Sequence, residues 1–194
     1  MSVSQAIRER VRPVLFMLGF SVVAISLVSA LHLATAAAVE RNAGLFRQRA
    51  VMAAAGLTVP PRPAEVIEWY HNAVTGPDDD QPYFKVSDQA HVIAHVHPMR
   101  GQGLWGTIHA MVGVNPDNGL ITGVSFVEHN ETPGLGARIS EPWFEQQFSG
   151  KAGPFKVVPE GTRSQAKDEM DAVTGATVTT TAVRDMLNKL MEKH

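Results

Sequence analysis

TIHAMVGVNPDNGLITGVSFV, residues 107–127, decides the fold class. Its two arms, Thr107 to Val114 and Leu120 to Val127, are rich in β-branched and small apolar residues and read as strands. Asn115-Pro116-Asp117-Asn118-Gly119 between them has hairpin-turn chemistry, which makes the arms antiparallel neighbours. Upstream, the whole region from Tyr83 to Phe126 is strand-like, with Val92, Ala94 and Val96 alternating with His91, His95 and His97. Downstream, Trp143, Phe144 and Phe148 mark a helix near 141–149 that Gly150 stops. A last helix is predicted from about Thr180 to Glu192. Its Val183, Met186, Leu187, Leu190 and Met191 recur at i, i+3, i+4, i+7 and i+8. Before the strands, Val39 to Gly56 and Ala64 to Ala73 read as helices, broken apart by Val59-Pro60-Pro61-Arg62-Pro63. A loop follows over 75–82. Helices, then strands, then helices argue for an α+β domain on a mainly antiparallel sheet flanked by helices.

The chain has 194 residues, 44% apolar and 19% charged, enough for one packed domain and an appendage. A net charge of −2 gives no bulk electrostatic case for nucleic acid. The absence of cysteine excludes disulfides, thiolate metal sites and cysteine nucleophiles from this chain. From Pro13 to Val39 there is no Asp, Glu, Lys or Arg, and a membrane span needs roughly 20 residues. Arg8, Arg10 and Arg12 precede it, so the positive-inside rule keeps that end in the cytoplasm. Ala34-Thr35-Ala36 resembles a signal-peptidase site, but the apolar run is longer than a signal core of about 7–15 residues. The predicted layout is a cytoplasmic tail (1–12), a transmembrane helix in membrane lipid (13–39), a helical linker (40–63) and a C-terminal domain (64–194). In a bacterium this is a single-pass inner-membrane protein with a periplasmic domain.

Three stretches could carry chemistry. In Gly101-Gln102-Gly103-Leu104-Trp105-Gly106, glycines let backbone approach a ligand closely beside an aromatic; the plainer reading is a turn into a strand with a core Trp. Glu128 to Arg138 follows a strand directly, and Pro133-Gly134 and Gly136 make a loop able to present N–H groups and Leu135 to a flat ligand. In Asp171-Ala-Val-Thr-Gly-Ala-Thr177, Thr177 precedes the last helix, whose free N–H groups and dipole favour an anion. The plainer reading there is that Thr179 or Thr180 caps the helix.

Taken together, these stretches resemble a known family. Asp171-Ala172-Val173-Thr174-Gly175-Ala176-Thr177 looks like the flavinylation motif Asp-x-x-Ser/Thr-Gly-Ala-Thr, with each fixed position filled. Glu131-Thr132-Pro133-Gly134-Leu135-Gly136 looks like the loop shared by two covalent-FMN-binding proteins, the C subunit of the sodium-translocating NADH:quinone reductase and the G subunit of the Rnf complex. Gly103-Leu104-Trp105 is more like the former, and the first Thr of Thr-Gly-Ala-Thr leans toward the latter.

The resemblance implies FMN joined through its phosphate to Thr177, as a phosphoester made by a separate flavin transferase from FAD and Mg²⁺. It implies that Asp171 is needed for the modification, and that Thr174, Gly175 and Ala176 lie along the phosphate and ribityl chain. Glu131, Thr132, Leu135 and Gly136 then border the isoalloxazine, with Leu104 and Trp105 nearby. The implied role is electron relay inside an ion-translocating membrane oxidoreductase, with the other membrane subunits as partners and no catalytic acid–base set. The flavin carries the redox chemistry and the protein positions it.

Three other readings stand beside this one. A stand-alone, membrane-anchored extracytoplasmic flavoprotein reductase would turn over small acceptors without partners. A purely structural anchor would leave Thr177 unmodified. A zinc site at His91, His95 and His97 is disfavoured, because positions i, i+4 and i+6 of a strand spread over roughly 20 Å.

Overall fold

The computed structural model describes residues 3–78, 81–89 and 91–192, with side chains from residue 11 onward. Residues 1 and 2 and the side chains of Arg8 and Arg10 in the predicted tail, Asp79 and Asp80 in the predicted loop, Ala90 among the strands, and Lys193 and His194 lie outside the described residues. The chain divides into two units, Met1–Gly44 and Leu45–His194.

One helix, α1 (Val3–Ala54), runs through the first unit and ends in the second. Its stretch Val11–Ala54 is long and apolar enough to cross a membrane, with a mean hydropathy of 2.5 in its most apolar window. Phe16, Leu27, Leu31 and Leu33 project outward. The Thr35 hydroxyl returns to the Leu31 carbonyl at 2.9 Å, so this polar side chain is satisfied within the helix. The helix continues past Val39 without a break. It stops where Gly56 takes a left-handed conformation (φ 79°), the backbone state that glycine adopts without strain.

In the second unit, α2 (Pro63–Ala73) leads into five strands: β1 (Val74–Thr75), β2 (Phe84–Asp88), β3 (His91–Gln102), β4 (Thr107–Val114) and β5 (Ile121–Glu128). They pair in sequence order, all antiparallel, with Val96 opposite Gly113 and Val112 opposite Val124. The hairpin read from 107–127 is therefore β4–β5. On one face, Ile108, Ala110, Val112, Ile121 and Phe126 pack with Phe144 of α3 (Pro142–Gln146) and with Val183, Met186, Leu187 and Leu190 of α4 (Thr177–Met191). On the other face, Phe84, Val86, Ala94, Val96 and Met111 pack with Ala50, Val51 and Ala54 at the end of α1. That end lies directly on the sheet. A Cβ at Gly113 would collide with the Ala54 carbonyl oxygen, and one at Gly123 would fall 2.6 Å from the Ala53 carbonyl oxygen. The Thr122 hydroxyl donates to the same Ala54 oxygen at 2.6 Å.

The outer edge of β5 is occupied. Phe126 N donates to the Glu145 carboxylate at 2.9 Å, Ile121 N donates to the Lys151 carbonyl at 2.9 Å, and Gly150 N donates to the Ile121 carbonyl at 2.8 Å. Burial holds the Glu145 carboxyl above its ordinary range, against the lowering effect of the Phe126 N–H.

The α+β class with a mainly antiparallel sheet is as the sequence predicts. Three local expectations need correction, and one pair of strands is unforeseen. The last helix begins at Thr177, not near Thr180. The predicted helix at 141–149 keeps helical geometry only over Pro142–Gln146, and turns complete the segment. Two three-residue strands, β6 (Lys156–Val158) and β7 (Glu169–Asp171), form a separate parallel pair. Trp105 is 67% exposed and is no core residue. The histidines run along β3: His91 meets Asp117 at 3.3 Å, while His95 and His97 stack on Tyr83 with ring centres at 4.5 and 5.0 Å.

Candidate functional site

Glu131 gathers the site. It follows β5 and is only 5% exposed, and both its carboxylate oxygens are used. Oε1 accepts the Trp105 backbone N–H at 3.1 Å, and Oε2 accepts the Thr179 hydroxyl at 2.5 Å. One buried carboxylate thereby ties the β3–β4 turn and the first turn of α4 to the loop after β5. A buried carboxylate needs such charge-assisted partners to offset desolvation. The glycines make room for it: a Cβ at Gly103 would strike Oε1, and one at Gly136 would lie 2.7 Å from both Oε2 and the Thr179 hydroxyl. The β3–β4 turn closes with Gly103 N on the Gly106 carbonyl at 2.8 Å, and the Trp105 indole N–H donates to the Thr132 hydroxyl at 3.0 Å.

Around this buried knot the surface is apolar and exposed: Leu104, Trp105, Leu135 and Val178 all project outward. Leu135 lies over the α4 turn, where a Cβ at Gly175 would fall 2.9 Å from Leu135 Cδ2. Gly175 has φ 79°, which a side chain there would strain. Thr177 is exposed as the first residue of α4. Ala176 occupies the cap position and offers no side-chain acceptor. The first intrahelical bond is Thr180 N to the Ala176 carbonyl at 2.9 Å, so the opening N–H groups of α4 are left for an acceptor. Neither Thr179 nor Thr180 caps the helix: Thr179 serves Glu131, and the Thr180 hydroxyl accepts Val173 N at 3.1 Å.

Asp171 is spent differently. Its carboxylate accepts Gly161 N at 2.8 Å and Arg163 N at 3.0 Å, and its own N–H donates to the Gln147 side chain at 2.6 Å. It also borders a cavity of about 430 Å³ with Trp143, Gln147, Lys151 and Arg163. The loop it fixes carries Glu160, which accepts Thr174 N at 2.7 Å and pairs with both terminal nitrogens of Arg138 at 2.7 and 3.1 Å. The Arg138 guanidinium, then the Thr174 N–H and hydroxyl, pull the Glu160 carboxyl down to about 2.

The structure thus draws together Leu104, Trp105, Glu131, Thr132, Leu135, Gly136, Gly175 and Thr177, and joins Thr174 to them through Glu160 and Arg138. Glu160 is a residue that sequence reasoning passes over, since nothing local marks it. Thr179 is visible in the sequence only as a cap candidate. An exposed apolar rim beside an uncapped helix start, with a glycine leaving the approach open, suits a flat aromatic ring carrying a phosphate. The residues present fit FMN on these grounds.

Comparison with known proteins agrees. Residues 103–192 match the family model for the FMN-binding domain. Over 93 residues the chain is 38% identical to the C subunit of the Na(+)-translocating NADH-quinone reductase of Neisseria meningitidis, covering 45% of this chain and 36% of that protein. Over 87 residues it is 40% identical to the G subunit of the Na(+)-translocating ferredoxin:NAD(+) oxidoreductase complex of Acetobacterium woodii, covering 44% and 41%. The matches thus span well under half the length of these relatives. In fold it resembles the crystal structure of the quinone reductase's C subunit from Parabacteroides distasonis (TM-score 0.64, 23% identity, 77% of this chain and 89% of that one). It also resembles NqrC of Shewanella oneidensis (TM-score 0.65, 24% identity, 73% and 88%). Residues 103–192, the stretch that the FMN-binding domain model matches, hold the whole candidate site.

Proposed function

We propose that this chain is a membrane-anchored flavoprotein subunit that carries FMN covalently on Thr177 and relays electrons within an Rnf-type or Na⁺-NADH:quinone reductase-type membrane complex. The observation that carries the reading is Thr177 itself: exposed, first in α4, with uncapped N–H groups at its back and an apolar rim of Leu104, Trp105 and Leu135 beside it. When bound, FMN supplies one- and two-electron redox chemistry. The chain's residues have simpler tasks. Thr177 Oγ would hold the phosphate where the α4 dipole favours negative charge. Gly175 and Ala176 keep the approach clear, and Thr174 fixes the turn. Leu104, Trp105 and Leu135 would shelter one side of the ring, while Glu131 holds the Trp105 backbone, Thr132 accepts from its indole, and Gly136 leaves room for the Glu131 carboxylate. Asp171 serves the modification by fixing the neighbouring loop.

A tether of this kind suits a carrier whose ring must stay accessible to an electron partner. In this reading the apolar part of α1 lies in the bacterial inner membrane, the FMN-binding domain faces the periplasm, and a flavin transferase loads it. The test is co-expression of the full chain with a transferase. A fluorescent band on a denaturing gel, with intact mass raised by one FMN less water and lost in Thr177→Ala, is the expected result. A dark band at the bare mass, with the transferase active on a control substrate, would overturn it.

A further inference from the structure

Thr174 sits in the middle of the attachment motif, yet its backbone N–H is engaged by a residue outside it. Glu160 Oε2 accepts the Thr174 N–H at 2.7 Å. Glu160 is held in turn by the two-pronged Arg138 guanidinium. Arg138 belongs to the 3-10 helix Gly136–Ser140, which follows directly on the loop that supplies Glu131 and Leu135. It is steadied by Glu141 at 3.5 Å and by the Trp143 ring, 5.4 Å from the guanidinium carbon. Asp171 closes the arrangement from the other side, since its bonds to Gly161 N and Arg163 N fix the loop that begins at Glu160. Both motif loops are thus pinned to one ion pair, and that pair lies outside both motifs.

We propose that Glu160 and Arg138 are positioning residues for flavin attachment. Resting on the function proposed above, this assigns them the task of holding the Thr174–Ala176 turn so that Thr177 Oγ is presented to the incoming dinucleotide. In that step Thr177 Oγ forms a bond to the FMN-side phosphorus of FAD. The pyrophosphate P–O bond breaks, AMP leaves with the bridging oxygen, and the hydroxyl proton passes to solvent. No oxidant or reductant is consumed. Glu160 and Arg138 touch none of the reacting atoms; they act through Thr174.

The test uses the full chain in detergent, a flavin transferase, FAD and Mg²⁺, with Glu160→Gln and Arg138→Lys. Loading is followed by in-gel fluorescence across acceptor concentrations. Amide hydrogen exchange of the 172–177 segment is followed in the unloaded protein. Glu160→Gln is expected to slow loading about tenfold, the size of one charge-assisted hydrogen bond lost, and to speed exchange at Thr174 by a similar factor. The β4 and α4 amides should stay protected. Arg138→Lys keeps the charge but loses the fork, and should fall between wild type and Glu160→Gln. Glu160→Asp should recover part of the rate. Wild-type loading in Glu160→Gln, or unchanged Thr174 exchange, overturns the proposal. Should Glu160→Gln expose β4, Arg138→Lys alone decides by the same two readouts. A wild-type chain that takes no flavin sinks the proposed function instead, and the exchange comparison then still tests the clamp.

Discussion

Thr179 Oγ1 donates a hydrogen bond to Glu131 Oε2 at 2.5 Å, joining residues 48 positions apart inside a buried setting. This contact makes the β3–β4 turn, the loop after β5 and the start of α4 into one site, because the other oxygen of the same carboxylate holds the backbone of Trp105. Truncating either partner leaves the other buried and short of a bond.

Thr179→Val is therefore expected to cost about 1–3 kcal/mol in denaturant unfolding, the usual penalty for an orphaned buried polar group. In a double-mutant cycle with Glu131→Gln the two changes should be non-additive by more than about 0.5 kcal/mol. Strict additivity would mean that the contact carries no energy.

Gly113 has no space for a side chain beneath the end of α1. Gly113→Ala should lower stability by more than about 4 kcal/mol or prevent folding, as backbone clashes in a packed core do. Gly119 has φ 68° and open space around it, so Gly119→Ala should cost only about 1 kcal/mol. Thermal melts of the two variants side by side would show the difference.

Gly175→Ala tests the approach to Thr177 without touching it. The added methyl meets Leu135 and a left-handed backbone, so Leu135 must move and the turn must strain. Flavin loading should fall several-fold while Thr177 remains available. Equal loading would show that the Leu135–Gly175 contact has no part in presenting the site.

Glu160 sets an acid limit. Its folded pKa is lowered from 4.5 to about 2, so the stability it contributes is complete above 4.5 and is lost as pH falls through about 2. The melting temperature of the wild type should drop over that window. Glu160→Gln should start lower and show a shallower acid slope. The side chain is partly open to solvent, so the effect is modest and should weaken in salt.

Regular patterns are legible in the sequence because they repeat at short range. The β4–β5 hairpin, the apolar run of α1 and the buried face of α4 at Val183, Met186, Leu187 and Leu190 all follow from local periodicity. The start of α4 reads three residues too late. Thr177, Thr179 and Thr180 are mediocre helix formers, and no side chain caps the end to announce it. The parallel pair β6–β7 has three residues per strand, too few for any alternation to show. The loops that make the site are visible as motifs. Glu160 is not: its partners Arg138 and Thr174 lie 22 and 14 residues away, and no local spacing reports such pairing.

The sheet is also built to be left alone. At β5 the backbone donors of Phe126 and Ile121 are taken by Glu145 and by the Lys151 carbonyl, and at the opposite end β1 is only two residues long. Those two donors are therefore not open to a foreign strand, and β1 is too short to present a long row of them. Strand addition along β5, whether as recruitment by a neighbour or as the first step toward aggregation, would have to displace these contacts.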